Sequence, residues 1–383
     1  MAPHYDYLIV GAGFSGATLA ERIASEFPEK TILIIDKRNH IGGNCYDEID
    51  LETGILVSKY GAHLFHTNST KVWEYVNRFS KWVRYDHKVL AQVGGTVVPV
   101  PVNQETINIV FNENLQTPEE VHTWLAKKQV ATTNPTNSEE TALSRVGPEL
   151  YELLFKSYTI KQWAKEPSAL APSVLARIPV RDNNDGRYFT DKYQGLPALG
   201  YTRIFECMLD HPNITVRLST DFEDIKGEVT WGSLIFTGRI DQYYKEAGLP
   251  PLEYRSLNFE VRRFHECPGF IQQGSVINYP SPDIPYTRSV EYKWLPYDYN
   301  TQLRTSTSIV VYETSCSCEE GAEPYYPVPN PANEGLYEEY RALAAAEKNV
   351  HFIGRLASYK YFNMDQAIEA ALNYFKDNIL QAS

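Results

Sequence analysis

The chain has 383 residues, 43% of them hydrophobic and 22% charged, with a formal net charge of −12. That length exceeds one simple core and predicts two or three domains, and the acidic balance argues against nucleic acid as a partner. No apolar run approaches the roughly 18 residues that span a membrane, and five irregularly spaced cysteines predict a reducing, cytoplasmic setting.

Residues 5–10 read as a buried strand, 17–24 as a helix, and 31–35 as a second strand that ends on Asp36. Between the first strand and the helix stands Gly11-Ala12-Gly13-Phe14-Ser15-Gly16, a G-x-G-x-x-G turn. This order is that of a dinucleotide-binding βαβ unit. Gly11 permits the tight turn, Gly13 lets the backbone approach a pyrophosphate, and Gly16 lets the helix pack on the strand. The free N–H groups at the helix start, around Phe14 and Ser15, face the phosphates. Asp36, 20 residues after Gly16, is placed to accept hydrogen bonds from a ribose, with Lys37 beside it. Arg38 suits the 2′-phosphate of NADP. The following Gly42-Gly43-Asn44 favours FAD instead, because a second close backbone approach needs a glycine pair.

Further along, 70–79 reads as a short helix, and 89–93 with 95–100 as a hairpin turning at Gly94-Gly95. Segments 104–110, 118–129, 138–146 and 148–158 are helical by period and start signals. Residues 169–187, rich in Pro, Ala, Asn and Arg, read as a long loop of the kind used for lids and binding. Residues 201–209 are helical, and 215–218 and 234–238 are strands returning to the nucleotide fold. Segments 258–261, 275–279 and 307–313 predict an antiparallel sheet. A helix over 333–347, a strand over 350–354 and a helix over 364–375 close the chain. The fold class is therefore α/β: a discontinuous Rossmann-like FAD-binding domain (1–80, 203–246, 331–383), an inserted helical domain (104–176), and an antiparallel β-sheet domain with the loop (81–103, 177–202, 247–330). Two thiols at Cys316 and Cys318 with no second pair make no zinc site, so no metal is expected.

Eight stretches in order carry a resemblance that covers the chain. They include Tyr60-Gly61-Ala62-His63-Leu64-Phe65-His66-Thr67, Ser157-Tyr158-Thr159-Ile160-Lys161-Gln162-Trp163, Ala176-Arg177-Ile178-Pro179-Val180-Arg181, Asp185-Gly186-Arg187-Tyr188-Phe189, Tyr286-Thr287-Arg288, Pro324-Tyr325-Tyr326-Pro327, and Gly354-Arg355-Leu356 through Tyr361-Phe362-Asn363-Met364-Asp365. The sequence resembles the bacterial UDP-galactopyranose mutase family. Ala62, Arg239 and Asn363 depart from its usual pattern.

The resemblance implies interconversion of UDP-galactopyranose and UDP-galactofuranose without net redox. It implies reduced FAD as the active form, with N5 bonding the anomeric carbon, and a homodimer. Arg177 and Arg288 match its catalytic arginines, suited to a pyrophosphate, and the loop carrying Arg177 would close over substrate. Phe155, Tyr158 and Trp163 match the uridine site, Tyr188, Tyr326 and Tyr361 the diphosphate site, and Glu313 and Asn363 positions near the sugar. His63 would sit beside the flavin, Arg355 by its ribityl chain, and the helix starting at Met364 and Asp365 would aim its positive end at the flavin. A flavin oxidase or dehydrogenase on the same fold, a non-catalytic UDP-sugar binder, and a mutase for the N-acetylated sugar nucleotide are the competing readings.

Overall fold

The computed structural model describes residues 2–297, 305–319 and 321–381. Its centre is a five-stranded parallel sheet in the order Ile214–Arg217, Ile32–Ile35, His4–Val10, Thr230–Phe236, Val350–Phe352. Strands covered on both faces read as unbroken apolar runs, and all four side chains of Ile32–Ile35 are fully buried. The helix Phe14–Glu26 lies on one face, packed between Tyr201–Leu209 and Met364–Tyr374. The other face is closed by Phe222, Ile225 and Val229, with Tyr243 and Phe352 packed against them. The predicted return of distant segments to the nucleotide fold is thus realised in the sheet order.

The second sheet has seven strands, ordered Tyr326–Pro327, Tyr254–Phe264, Ser308–Ser317, Arg288–Glu291, Val276–Asn278, Val89–Val93, Thr96–Val100. It is not purely antiparallel, because Val276–Asn278 pairs in parallel with Val89–Val93. That pair joins segments far apart in sequence, and periodicity carries no sign of strand direction across such a distance. Arg288–Glu291 is a strand that the pattern did not announce, with only Val290 and the alkyl stems to mark it. A three-stranded sheet of Phe65–Thr67, Tyr193–Pro197 and Trp82–Arg84 bridges segments 1–80 and 177–202.

The inserted helices follow their local signals. Thr117 and Glu120 cap Pro118–Lys128 reciprocally: Glu120 N donates to Thr117 Oγ1 at 3.2 Å, and Thr117 N to the Glu120 carboxylate at 3.1 Å. Ser138–Leu150 breaks at Gly147, where φ is 78° and ψ 172°. The run beyond it widens into π-helical turns over Tyr151–Lys156 before Ser157–Trp163.

The segment 169–187, expected to be structureless, contains a helical turn at Ser173–Ala176. It is also tied down: Ala171 N donates to Pro329 O at 3.1 Å, and Arg181 N to Val102 O at 2.9 Å. Proline and glycine composition hides such non-local backbone pairing. No helix among the described residues is long and apolar enough to cross a membrane.

Gly147 is a test of this architecture. A Cβ there would lie 2.4 Å from Lys128 O in a backbone region reserved for glycine. Gly147→Ala is expected to destabilise the protein by about 2–4 kcal/mol, seen as a lower urea midpoint. A wild-type midpoint would mean that the break in the helix is dispensable.

Candidate active site

Two cavities adjoin, one at the ends of the parallel strands and one between the seven-stranded sheet and the inserted helices. The larger, about 570 Å³, opens off the N-terminal turn and is lined by Gly11, Gly13, Phe14, Ser15, Asp36, Lys37, Gly43 and Asn44. Its floor cannot accept side chains. A Cβ on Gly11, where φ is +102°, would meet Thr237 Oγ1 at 2.1 Å, and one on Gly43 would meet Gly13 Cα at 3.0 Å. Two glycine segments thus lie back to back and leave bare backbone towards the cavity, the cradle a pyrophosphate needs. Gly16 is not in the wall. A Cβ there would sit 2.0 Å from Gly11 O, so its place is the helix–strand contact.

Asp36 accepts hydrogen bonds from Ala12 N and Arg38 N, each at 2.9 Å, and keeps lone pairs for a ribose. Arg38 donates to the Glu323 carboxylate at 2.7 Å and to Asn44 Oδ1 at 2.8 Å, with its guanidinium 4.3 Å from the Tyr60 ring centre. It lines the cavity with its guanidinium already paired to Glu323 and Asn44, which weighs against its use for a 2′-phosphate. These residues fit FAD.

The smaller cavity, about 370 Å³, is lined by Phe155, Tyr158, Arg177, Tyr188, Arg288, Tyr326 and Tyr361. The two cavities share a wall of Asn44, His63, Arg355, Asn363 and Met364. Asn363 and Met364 stand where the helix Met364–Tyr374 begins, and Gln366 Oε1 accepts from Asn363 N at 2.9 Å. The positive end of that helix therefore meets the shared wall. His63 Nδ1 lies 2.8 Å from Gly61 O. Only an N–H can donate to a carbonyl, so Nδ1 carries the proton and Nε2 keeps its lone pair. Burial pulls the His63 imidazole down to about 4, so the ring is neutral at pH 7.

Positive charge is concentrated in the smaller cavity despite the acidic chain. Arg288 donates from Nε to the buried Glu313 carboxylate at 2.6 Å. Burial opposes its charge, but Glu313 and the Tyr326 and Tyr158 phenols outweigh burial and keep it charged. Arg177 stacks 4.3 Å from the Tyr361 ring centre, and Arg355 lies 5.3 Å from the same ring. Tyr361 in turn stacks on Tyr326 at 5.5 Å. Burial raises the Tyr361 phenol, yet Arg177 and Arg355 overcome it and bring the group down to about 8. Burial raises the Tyr158 and Tyr188 phenols, which stay protonated donors.

Besides Gly16, three of the expected site residues lie outside both walls. Trp163 is buried behind Tyr326, with ring centres 6.1 Å apart. Glu313 lies behind Arg288 as its counter-ion, where a sugar contact had been expected. Asp365, expected at the cofactor, turns its carboxyl towards Thr67 and His66, because the strand Phe65–Thr67 packs against this helix on that side. The structure adds Asn278, Thr159 and His87 to the smaller cavity. His87 is buried, its imidazole is pulled down to about 3 by burial, and its Nδ1 has no partner. Nothing in Tyr85-Asp86-His87-Lys88 distinguishes it from a structural histidine before folding brings Tyr188 and Phe189 alongside.

A Rossmann-like nucleotide cavity opening onto an arginine- and tyrosine-lined chamber defines a flavin-dependent enzyme class. Residues 9–79 match the NAD(P)-binding Rossmann-like domain, and residues 153–361 match the UDP-galactopyranose mutase family. The chain is 41% identical to a Klebsiella pneumoniae protein named "Probable UDP-galactopyranose mutase", covering 95% of this chain and 92% of that one. It is 40% identical to the dTDP-fucopyranose mutase of Escherichia coli, over 97% of this chain and 98% of the relative. It is 33% identical to the UDP-galactopyranose mutase of Mycoplasma pneumoniae, over 96% and 94%. The crystal structure of a reduced UDP-galactopyranose mutase superposes with a TM-score of 0.75 at 17% identity, over 99% of this chain and 94% of that one. The chain belongs to the UDP-galactopyranose mutase family. It is an isomerase, and its cofactor is FAD.

The tyrosine cluster has a measurable consequence. A phenolate absorbance should develop with a midpoint near pH 8 and vanish in Tyr361→Phe. Above that midpoint the phenolate competes with a diphosphate for the guanidinium groups, so UDP affinity should fall as pH rises through it. A phenol that ionises only in the ordinary range would remove the basis for this coupling.

Proposed function

We propose that the enzyme interconverts UDP-galactopyranose and UDP-galactofuranose with reduced FAD and no net redox. The observation that carries this reading is the shared wall: a dinucleotide cavity and a diphosphate-suited chamber meet at His63, Arg355, Asn363 and Met364. When bound, reduced FAD supplies a nucleophilic nitrogen, N5, for the sugar's anomeric carbon.

The protein's own residues do the rest. Arg177 and Arg288 hold the diphosphate and stabilise the negative charge that grows on it as its bond to the sugar breaks. Tyr188, Tyr326 and Tyr361 donate to the same oxygens. Phe155 and Tyr158 hold the base, and Trp163 supports Tyr326 from behind. Glu313 keeps Arg288 charged and aimed. The start of the helix Met364–Tyr374 favours negative charge at the flavin edge, which suits the reduced cofactor. Asp36, Lys37 and the glycine cradle anchor the far end of FAD. Segment 169–187 covers the chamber, and its opening admits substrate. Five free thiols suit the cytoplasm, and the family resemblance points to a homodimer.

The decisive assay supplies UDP-galactofuranose to dithionite-reduced enzyme. Isomerisation without further consumption of reductant is expected, and oxidised enzyme should be inactive. Activity that needs a continuous oxidant would replace this reading with a flavin oxidoreductase. Arg177→Ala and Arg288→Ala should each lower kcat on the order of 10²-fold or more. Wild-type turnover in both would sink their assignment. Running the assay beside dTDP-fucofuranose and the N-acetylated UDP-sugar tests the substrate directly. The UDP-galactose pair should show the highest kcat/KM, and a higher value for either rival would reassign it.

A further inference from the structure

Lys161 sits on the helix Ser157–Trp163, between the base-site residue Tyr158 and Trp163. Its Nζ donates to four main-chain carbonyls. Those of Ser281, Ile284 and Tyr286 lie at 2.8, 2.9 and 2.9 Å, and that of Tyr279 is also in contact. An ammonium has three N–H donors, so four converging acceptors form a cage like that around a bound cation. Among the described residues every hydrogen bond of this ammonium goes to a main-chain carbonyl, so peptide dipoles meet its charge.

All four carbonyls belong to one stretch, 279–287, which joins the strands Val276–Asn278 and Arg288–Glu291. Its two ends are directly paired, Asn278 with Arg288, and both line the smaller cavity. A connection of that length is longer than the turns that hold a hairpin by themselves, so its shape needs an outside organiser. The neighbouring residue repeats the attachment: Gln162 O accepts from Arg255 Nε at 3.1 Å and from Ser315 Oγ at 2.6 Å. The base-site helix is thus joined at two successive residues to the seven-stranded sheet that carries Arg288.

We infer that Lys161 is a positioning residue for substrate binding: its ammonium, caged by four carbonyls, sets the distance between the base site on the helix and Arg288 and Asn278 on the hairpin. It touches neither cavity. Without it the carbonyls of Tyr279, Ile284 and Tyr286 lose their donor and Ser281 O keeps only the long bond from Ile284 N at 3.4 Å, the connection opens, and the two halves of the nucleotide site lose their spacing. The inference rests on the proposed UDP-sugar site only in taking the smaller cavity as the place where UDP binds.

The test uses FAD-loaded enzyme and measures UDP binding by quenching of intrinsic fluorescence, alongside kcat and KM. Lys161→Met and Lys161→Ala should raise the UDP Kd and the KM by about tenfold or more, since a small misplacement is costly, with FAD content unchanged. Ethylammonium should restore affinity to Lys161→Ala by refilling the cage. Tetramethylammonium at equal concentration, having no N–H donor, should not. FAD-loaded Lys161→Met with wild-type UDP affinity would overturn the inference, as would a Lys161→Ala defect that ethylammonium leaves untouched. If the variants fail to fold, hydrogen exchange on the wild-type enzyme decides. Lys161 Nζ protons that exchange slowly with solvent support the cage, and exchange as fast as that of a surface lysine overturns it. Wild-type enzyme that fails to bind UDP would refute the substrate assignment, whereas equal binding by wild type and variants refutes only the role of Lys161.

Discussion

A carboxylate in the middle of a sheet, at 1% exposure, needs a cation or several hydrogen-bond donors against it. Glu313 is such a group, and Arg288 is its partner. The two are directly opposite in the register of the strands Arg288–Glu291 and Ser308–Ser317. The contact is reinforced from the backbone, where Thr287 N and Oγ1 both donate to Glu313 O, at 2.8 and 3.0 Å. A one-residue slip would turn Arg288 to the other face and leave Glu313 buried alone. The pairing register and the charge of the chamber are therefore one constraint. Gly61 belongs to it as well, since a Cβ there would press on Glu313 Oε1 at 3.2 Å, and Gly61 O orients His63.

From this pair the electrostatics of the site extend outward. One carboxylate does not neutralise three guanidinium groups, Arg177, Arg288 and Arg355, gathered around stacked tyrosines. The surplus positive charge is stored against the faces and hydroxyls of Tyr326 and Tyr361. A chain with a net charge of −12 can thus present a locally cationic chamber, because low-dielectric walls keep the field of nearby groups and solvent screens the distant ones. The nucleotide cavity shows the reverse economy of charge. Arg38, the obvious anion ligand there, is paired with Glu323 in the cavity wall, and glycine backbone faces the cavity beside it.

The strands, helices and caps of the nucleotide fold were legible in the sequence, because each rests on a local rule. Glycine spacing, a continuous apolar run and an acid after the second strand are properties of neighbours along the chain. The same holds for the capped helices of the insertion and for the hairpin over 89–100. The resemblance also brought Arg177, Arg288, Tyr158, Tyr188, Tyr326 and Tyr361 to attention before any geometry, and folding gathers all six around one chamber.

What only the tertiary structure decided depends on pairing between distant segments. The parallel pairing of Val276–Asn278 with Val89–Val93, the backbone ties that hold 169–187, and the displacement of Glu313, Trp163 and Asp365 from the cavity walls are all of this kind. So are the burial of His87 and the carbonyl cage of Lys161. A side chain's type is written in the sequence, but its solvent, its partners and its charge state belong to the surroundings that folding supplies.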